Sequence, residues 1–319
     1  MNNLAKKLDQ PTHGTYWKDL GRRFSRYKFM YVLILPAVLC ALIFQYLPMG
    51  GLIMAFQDYD IIGGIGKSPF TGLANFKEIL SMPKFLGAIK NTLVYSSVTI
   101  FLGTPFPIAL AILFNELKQQ KLKKIVQTVS YLPHFISWIS VIGMFYAMFS
   151  INGTFNDIMA AIFGSGYERK NILCDPDSFL SIIFWSGQWK NIGWNSVVYL
   201  AAIAGIDPTM YEAAKVDGCN RLKQVFYITI PSIMPTIVIC FIMGMSSLVN
   251  SNFEQVYGFQ NVYTQEATEV INTLTYRQGI LNGDYSMATA FGMMQGVVSF
   301  LLVVVSNAVV KKGTGMGIW

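Results

Sequence analysis

Three stretches of this 319-residue chain hold residue types at spacings that chemistry uses. Gly63-Gly64-Ile65-Gly66-Lys67-Ser68 has the glycines, lysine and hydroxyl of a loop that wraps phosphate in backbone amides. The first glycine of such a loop falls at Ile61, and Pro69 stands where a helix should continue, so nucleotide binding is not expected there. His13 and His134 lie far apart, without a partner set for zinc or a catalytic triad, and Cys40, Cys174, Cys219 and Cys240 include no CxxC pair. No metal, disulfide framework or bound cofactor is expected of this chain itself.

The second stretch holds Trp185, Gln188, Trp189, Lys190, Asn191, Trp194 and Asn195 inside an otherwise apolar run. Polar groups at membrane depth are costly enough to mark function, so these amides and aromatic faces are candidates to meet a solute. Trp185 and Trp189 are four apart, as are Asn191 and Asn195, so each pair shares a helix face. Counted up from Asp207, Trp189 lies about 27 Å along the helix and Asn195 deeper. The plainer reading is an aromatic belt with a snorkelling lysine. Asn250, Asn252, Phe253 and Glu254 form a further polar group, fit to meet substrate or a binding protein, or simply to end a helix.

The third stretch is a polar island, Tyr211 to Pro235, between two long apolar runs. Asp207-Pro208 reads as a helix start, because Asp caps and Pro suits the first helical position. Tyr211 to Val216 continues a short helix on which Glu212 and Lys215 stand three apart and can pair. Ala213 and Ala214 are small, so another surface can approach closely. Gly218 permits a backbone angle that other residues adopt at a cost. A basic stretch, Arg221 to Tyr227, leads into the next apolar run, where Pro231 and Pro235 can kink it. This is the form of a docking helix, and equally of a well-capped inter-helix loop.

The elements that carry these residues are membrane-length helices. Only 13% of residues are charged and 53% are hydrophobic, against about 25% charged in soluble domains. Six runs are long enough to cross about 30 Å of hydrocarbon: near Phe29–Phe56, Phe85–Phe114, Ile125–Phe149, Phe179–Ile206, Gln224–Val249 and Met287–Val310. An all-α integral membrane fold with six spans is therefore expected. With the N-terminus inside, the inside segments hold 16 of the 24 Lys and Arg and six of the 17 acids. That bias puts both termini in the cytoplasm and makes the basic charge a topology signal rather than a nucleic-acid surface. No cleavable signal peptide is expected, since the first 28 residues are polar and basic and the first apolar run is too long. Residues 1–28 read as a cytoplasmic arm whose Gly21–Lys28 segment anchors on anionic lipid, 29–310 as the membrane domain, and 311–319 as a cytoplasmic tail. Gly, Asn, Pro and aromatics make the outer loops Gln57–Lys84 and Asn250–Ser286 read as ordered. Thr104-Pro105-Phe106-Pro107 reads as a bend in the second span.

Glu212-Ala213-Ala214-x3-Gly218-x9-Ile228-x-Ile230-Pro231 resembles the EAA loop of importer-type ABC transporter permeases, and Asp217, Phe226 and Pro235 match the carbohydrate branch. Ile230 departs from the usual Leu, a conservative change. The wider chain is similar to the polysaccharide or multiple-sugar permease subfamily of LplB type, through Tyr31-x4-Pro36, Tyr46-Leu47-Pro48-Met49-Gly50, Phe76 after Gly72-Leu73-Ala74-Asn75, Asn91-Thr92-Leu93, Phe253-Glu254-Gln255 and Gly317-Ile318-Trp319. The resemblance implies the type I importer transmembrane fold in the bacterial cell membrane. It implies a second, homologous permease subunit, different from this one in related systems, and an extracellular solute-binding lipoprotein that delivers an oligosaccharide. Two cytoplasmic ATPase subunits would hold ATP and Mg, so this chain would be no enzyme. Its contact with them would run through Tyr211, Glu212, Ala213, Ala214, Asp217, Gly218, Arg221 and Pro231.

Two other function classes compete. An ion-coupled secondary sugar transporter or channel usually needs charged residues in mid-span, and Lys190 is the nearest case. A membrane enzyme needs clustered His, Asp or Glu, which the spans lack.

Overall fold

The structure, a computed structural model, describes residues 26–249, 251–315 and 317–318. Most of the basic arm, Asn250 and Trp319 lie outside the described residues. Regular structure among the described residues is helical, with one isolated β-bridge, Gln57 to Phe70. Two compact units divide between Ile53 and Met54.

The first unit contains α1, Lys28–Ala41, which continues in wider turns over Leu42–Tyr46 and in tight turns from Leu47. Lys28–Phe56 is long and apolar enough to cross a membrane, in agreement with the expected first run.

In the second unit, α2 (Pro83–Ser97) and α3 (Pro105–Glu116) form one apolar run, Pro83–Glu116. It is interrupted by a wider turn at Val98–Leu102 and by the junction Gly103-Thr104, after which Pro105 begins α3 in the position that wastes no N–H. The last helix, α11 (Tyr285–Thr314), and the run Arg221–Leu248, which contains α8 (Ile230–Met245), also match expectation. Before α8, the turn widens at Val225–Thr229, ahead of Pro231, whose ring would otherwise press on the carbonyl four residues back.

One expected span needs correction, and another forms as a helix but stands apart from the most apolar ones. Ile125–Phe149 is not one helix. It divides into α4 (Gln120–Tyr131), a tight turn at Leu132–Phe135, and α5 (Trp138–Phe149). Pro133 supplies no N–H to continue α4, and extended Ser137 starts α5 afresh, its hydroxyl accepting from Ser140 N at 3.3 Å. The stretch long and apolar enough to span is instead Trp138–Phe163, which takes in a further helix, Thr154–Phe163. The run Phe179–Ile206 does form one 26-residue helix, α6 (Phe179–Ala204). Its polar residues keep it outside the five helices apolar enough to span among the described residues.

α7 (Pro208–Val216) follows α6 after three residues. The segment after α8 folds into α9 (Phe253–Phe259), a short helix Gln265–Thr268 and α10 (Ile271–Tyr276), so it is ordered as expected. In the loop after Gln57, the Asp60 carboxylate accepts from the amides of Ile62 and Gly63, at 3.2 and 2.9 Å. The glycine-rich turn there is occupied by its own aspartate.

Three buried clusters hold the second unit. One joins α2, α10 and α11 through Phe85, Ile271, Leu274 and Phe291. A second joins α5, α6 and α9 through Val141, Phe179, Ile183, Val256 and Phe259. A third joins α3, α6 and α8 through Ala111, Tyr199, Ile203 and Ile233. α6 belongs to two of them and so lies along the middle of the packing.

Candidate functional site

A cavity of about 470 Å³ opens where the α2–α3 junction, α6 and α8 meet. Of the residues singled out in the sequence, Gln188, Asn191, Trp194, Asn195 and Asn252 line it. The helical spacing explains the grouping: Asn191 and Asn195 stand one turn apart, with Gln188 a turn earlier. The facing wall is small. A Cβ at Gly103 would come within 2.3 Å of Gln188 Nε2, so the glycine is what lets that amide sit against the junction. The amides of Gln188 and Asn195 make no hydrogen bond among the described residues and stand free for a ligand.

The other singled-out residues lie elsewhere. Trp185 and Trp189 are exposed on α6, at 57% and 41% exposure. Trp185 meets Phe106 and Phe184 edge-on and borders a hollow of about 190 Å³. Phe253 lines a second cavity beside the first, and Glu254 is exposed. A further cavity, about 790 Å³, is an apolar groove between α3 and α8 whose lining includes the ion pair Arg221–Glu116.

Lys190 and His134 gain roles that the sequence reading did not give them. Lys190 is buried, and its ammonium donates to the carbonyls of Pro133 and His134, at 3.4 and 2.7 Å, and of Ile136. The Pro133 carbonyl also accepts from Ile136 N at 3.2 Å, so the lysine caps the broken helix chiefly through the carbonyls of His134 and Ile136. It also lies over the Trp138 ring, at 5.4 Å. His134 stacks flat on Trp194, centroids 4.7 Å apart and planes 1° apart, and its Nδ1 is 3.0 Å from Asn191 Oδ1. Asn191 Nδ2 donates to Gly187 O at 3.1 Å. The broken segment thus holds two cavity residues in place. Gln255 was also missed: its Nε2 donates to Ile183 O at 2.7 Å and to Ser186 Oγ at 2.9 Å, tying α9 to α6 beside the cavity. Pro133 in an apolar run, and an amide three residues after Asn252, were the available signals.

At the far end of α6, α7 is the short helix expected from Asp207-Pro208. The Asp207 carboxylate accepts from Thr209 N at 2.9 Å, and the hydrogen bonds from Thr209 hold its carboxyl below the usual carboxylate range. Gly218 has φ +77°, and the amides of Gly218 and Cys219 close the helix on the carbonyls of Lys215 and Ala214. Tyr211 turns inward, its hydroxyl 2.9 Å from Thr229 Oγ1, and Ala214 is half-buried beside it. Glu212, Ala213, Lys215, Val216 and Asp217 are exposed. Glu212 and Lys215 form no ion pair; among the described residues the pairs are Arg169–Asp157, Arg221–Glu116 and Arg277–Glu269. Arg221 faces α3 rather than solvent partners alone, and Pro231 opens α8 from an exposed position.

Residues 86–312 match the family model for the binding-protein-dependent transport system inner membrane component. The chain is 36% identical over 302 residues to the polygalacturonan/rhamnogalacturonan transport system permease protein YteP of Bacillus subtilis strain 168, covering 95% of this chain and 94% of that one. It is 35% identical over 317 residues to Protein LplB of the same organism, covering 98% of each. It also superposes, with TM-score 0.84, 36% identity and coverage of 95% of this chain and 99% of the other, on a chain from the crystal structure of a bacterial alginate ABC transporter in complex with alginate pentasaccharide-bound periplasmic protein.

Proposed function

This chain belongs to the family of binding-protein-dependent transport system inner membrane components, and from that membership we propose that it forms half of a membrane pathway for oligosaccharides released from polysaccharides. It is a permease subunit of an ABC importer and a multi-pass protein of the cell membrane.

In this reading α6 is the sixth span, with Gln188, Asn191, Trp194 and Asn195 turned to the pathway and Trp185 and Trp189 to the lipid. Both termini are cytoplasmic, the basic arm of residues 1–28 rests on lipid, residues 29–310 form the membrane domain and 311–319 the tail. A second, different permease of the same family completes the pathway. Two ATPase subunits bind ATP and Mg, and α7, with Tyr211, Glu212, Ala213, Ala214, Asp217 and Gly218, docks on one of them, flanked by Arg221 and Pro231. A solute-binding lipoprotein hands over the sugar from outside, and Gln188, Asn191, Trp194, Asn195 and Asn252 hold it in passage.

One observation carries the reading: a capped, exposed helix joined within three residues to the helix that walls the polar cavity. A push on α7 therefore reaches the cavity along one rigid element. The test is Glu212→Lys in the transporter assembled with its partner subunits in proteoliposomes. ATP-driven oligosaccharide uptake is expected to fall at least tenfold with membrane insertion unchanged, and full uptake would overturn the docking role. The ion-coupled alternative requires uptake that follows an ion gradient and ignores ATP. It finds little support in Lys190, whose ammonium is committed to three backbone carbonyls.

A further inference from the structure

Beside the cavity of Gln188 and Asn195 lies a second one, of about 450 Å³, within the range of about 300–1,000 Å³ usual for small-molecule pockets. The two share Thr99, Ile100, Ile183, Ser247, Asn252 and Gln255, so they are consecutive chambers. Tyr95, Ser96, Ser251, Phe253, Val256 and Asn272 complete the second, and among the described residues of this subunit no charged side chain lines either.

Ser251 marks the second chamber. It is 8% exposed, and its Oγ has no hydrogen-bond partner among the described residues. A buried hydroxyl left alone costs about 1–3 kcal/mol, so folded proteins seldom keep one without a use. Its surroundings are fixed: Asn272 Nδ2 donates to Ser251 O at 2.7 Å, and Gln295 Nε2 donates to Asn272 Oδ1 at 2.7 Å. Phe253 is braced by Tyr257, stacked at 5.1 Å, and by Tyr276, also at 5.1 Å. The wall thus joins a rigid aromatic ring, a spare hydroxyl and oriented amides.

The geometry points to a second sugar seat in this chamber, which takes one uncharged sugar ring adjoining the ring held by Gln188 and Asn195. Ser251 bonds a ring hydroxyl and Phe253 meets a C–H face. From this subunit's wall a uronate finds no counter-charge, and a carboxylate taken out of water without one costs several kcal/mol. The inference rests on the first cavity being part of the sugar pathway.

The experiment measures uptake by the assembled transporter in proteoliposomes. The probes are neutral gluco-, galacto- and manno-oligosaccharides, and galacturonate and mannuronate oligomers, of two to six units. Ser251→Ala is expected to lower kcat/KM for neutral oligomers about fivefold, the worth of about 1 kcal/mol, while its thermal midpoint stays level or rises, since an unpaired buried group is gone. A structural role would instead lower midpoint and uptake together. Ser251→Leu, which fills the chamber, is expected to cost at least tenfold. Neutral uptake unchanged in both Ser251 variants, with Asn195→Leu inactive, would overturn the second seat and leave the first cavity's role standing. Full uptake by Asn195→Leu would overturn that role itself. Preference for uronates over neutral oligomers of equal length, or no uptake of any neutral oligomer, would overturn the assignment to an uncharged ring.

Discussion

The Lys190 ammonium donates to the main-chain carbonyl of His134 at 2.7 Å, so a charged side chain of α6 closes the end of a helix broken in the neighbouring run. With the Pro133 and Ile136 carbonyls also satisfied, the lysine acts as structural glue. Lys190→Met strands the His134 and Ile136 carbonyls, while Pro133 O keeps the Ile136 amide. It is expected to cost about 1–3 kcal/mol, the desolvation of an unpaired buried group, read as a lower thermal midpoint in detergent. Uptake that remains should still depend on ATP and not on an ion gradient.

The His134 ring lies flat on Trp194 and bonds Asn191. His134→Phe keeps an aromatic face and removes the bond. Uptake is expected to fall about fivefold, as for the loss of about 1 kcal/mol of orientation, with the thermal midpoint moved less than in Lys190→Met.

A Cβ at Gly193 would lie 2.0 Å from the Ser130 carbonyl oxygen, whereas one at Gly143 meets nothing within 4 Å. Gly193→Ala must drive α4 and α6 apart and is expected to destabilise by about 1–3 kcal/mol. Gly143→Ala, inside α5, should be neutral or stabilising by up to about 1 kcal/mol. Thermal melts of the two variants in one detergent test the contrast.

Gly218 turns the chain out of α7 at φ +77°. Gly218→Val places a β-branched residue in that region, at a cost of about 1–2 kcal/mol or more. Gly218→Asn should be tolerated. ATP-driven uptake is expected to collapse in the first and survive in the second, both reaching the membrane in normal amounts.

Asp207 caps α7, and its folded carboxyl titrates below the usual range because of the bonds from Thr209. A depressed folded value stabilises the helix fully above the ordinary carboxylate range, and that support is lost as pH falls through the folded value. Amide exchange over residues 208–216, corrected for intrinsic rates, should therefore speed up in acid. In Asp207→Asn it should lose that acid dependence while the cap persists.

Much of this was legible in sequence because it is local. Asp207-Pro208 and Gly218 state where α7 begins and ends, and runs such as Met287–Val310 need no partner to be read as helix. The third run misled because apolarity over Ile125–Phe149 hides one proline, and hydropathy does not sense a missing N–H. Gln188, Asn191 and Asn195 could be grouped by helical spacing alone. His134 with Trp194, and Ser251 with the chamber it lines, pair residues or surfaces that only the folded chain brings together.

α6 is held to the adjoining segment at two points three residues apart, by Lys190 on the broken turn and by Gly193 against Ser130. A rod pinned twice within one turn cannot spin about its own axis or slide without dragging its neighbour. Tilt is the degree of freedom that remains to it. In the proposed coupling, force applied at Pro208 would arrive at Asn195 as a sideways swing, a motion that widens one mouth of a channel as it narrows the other.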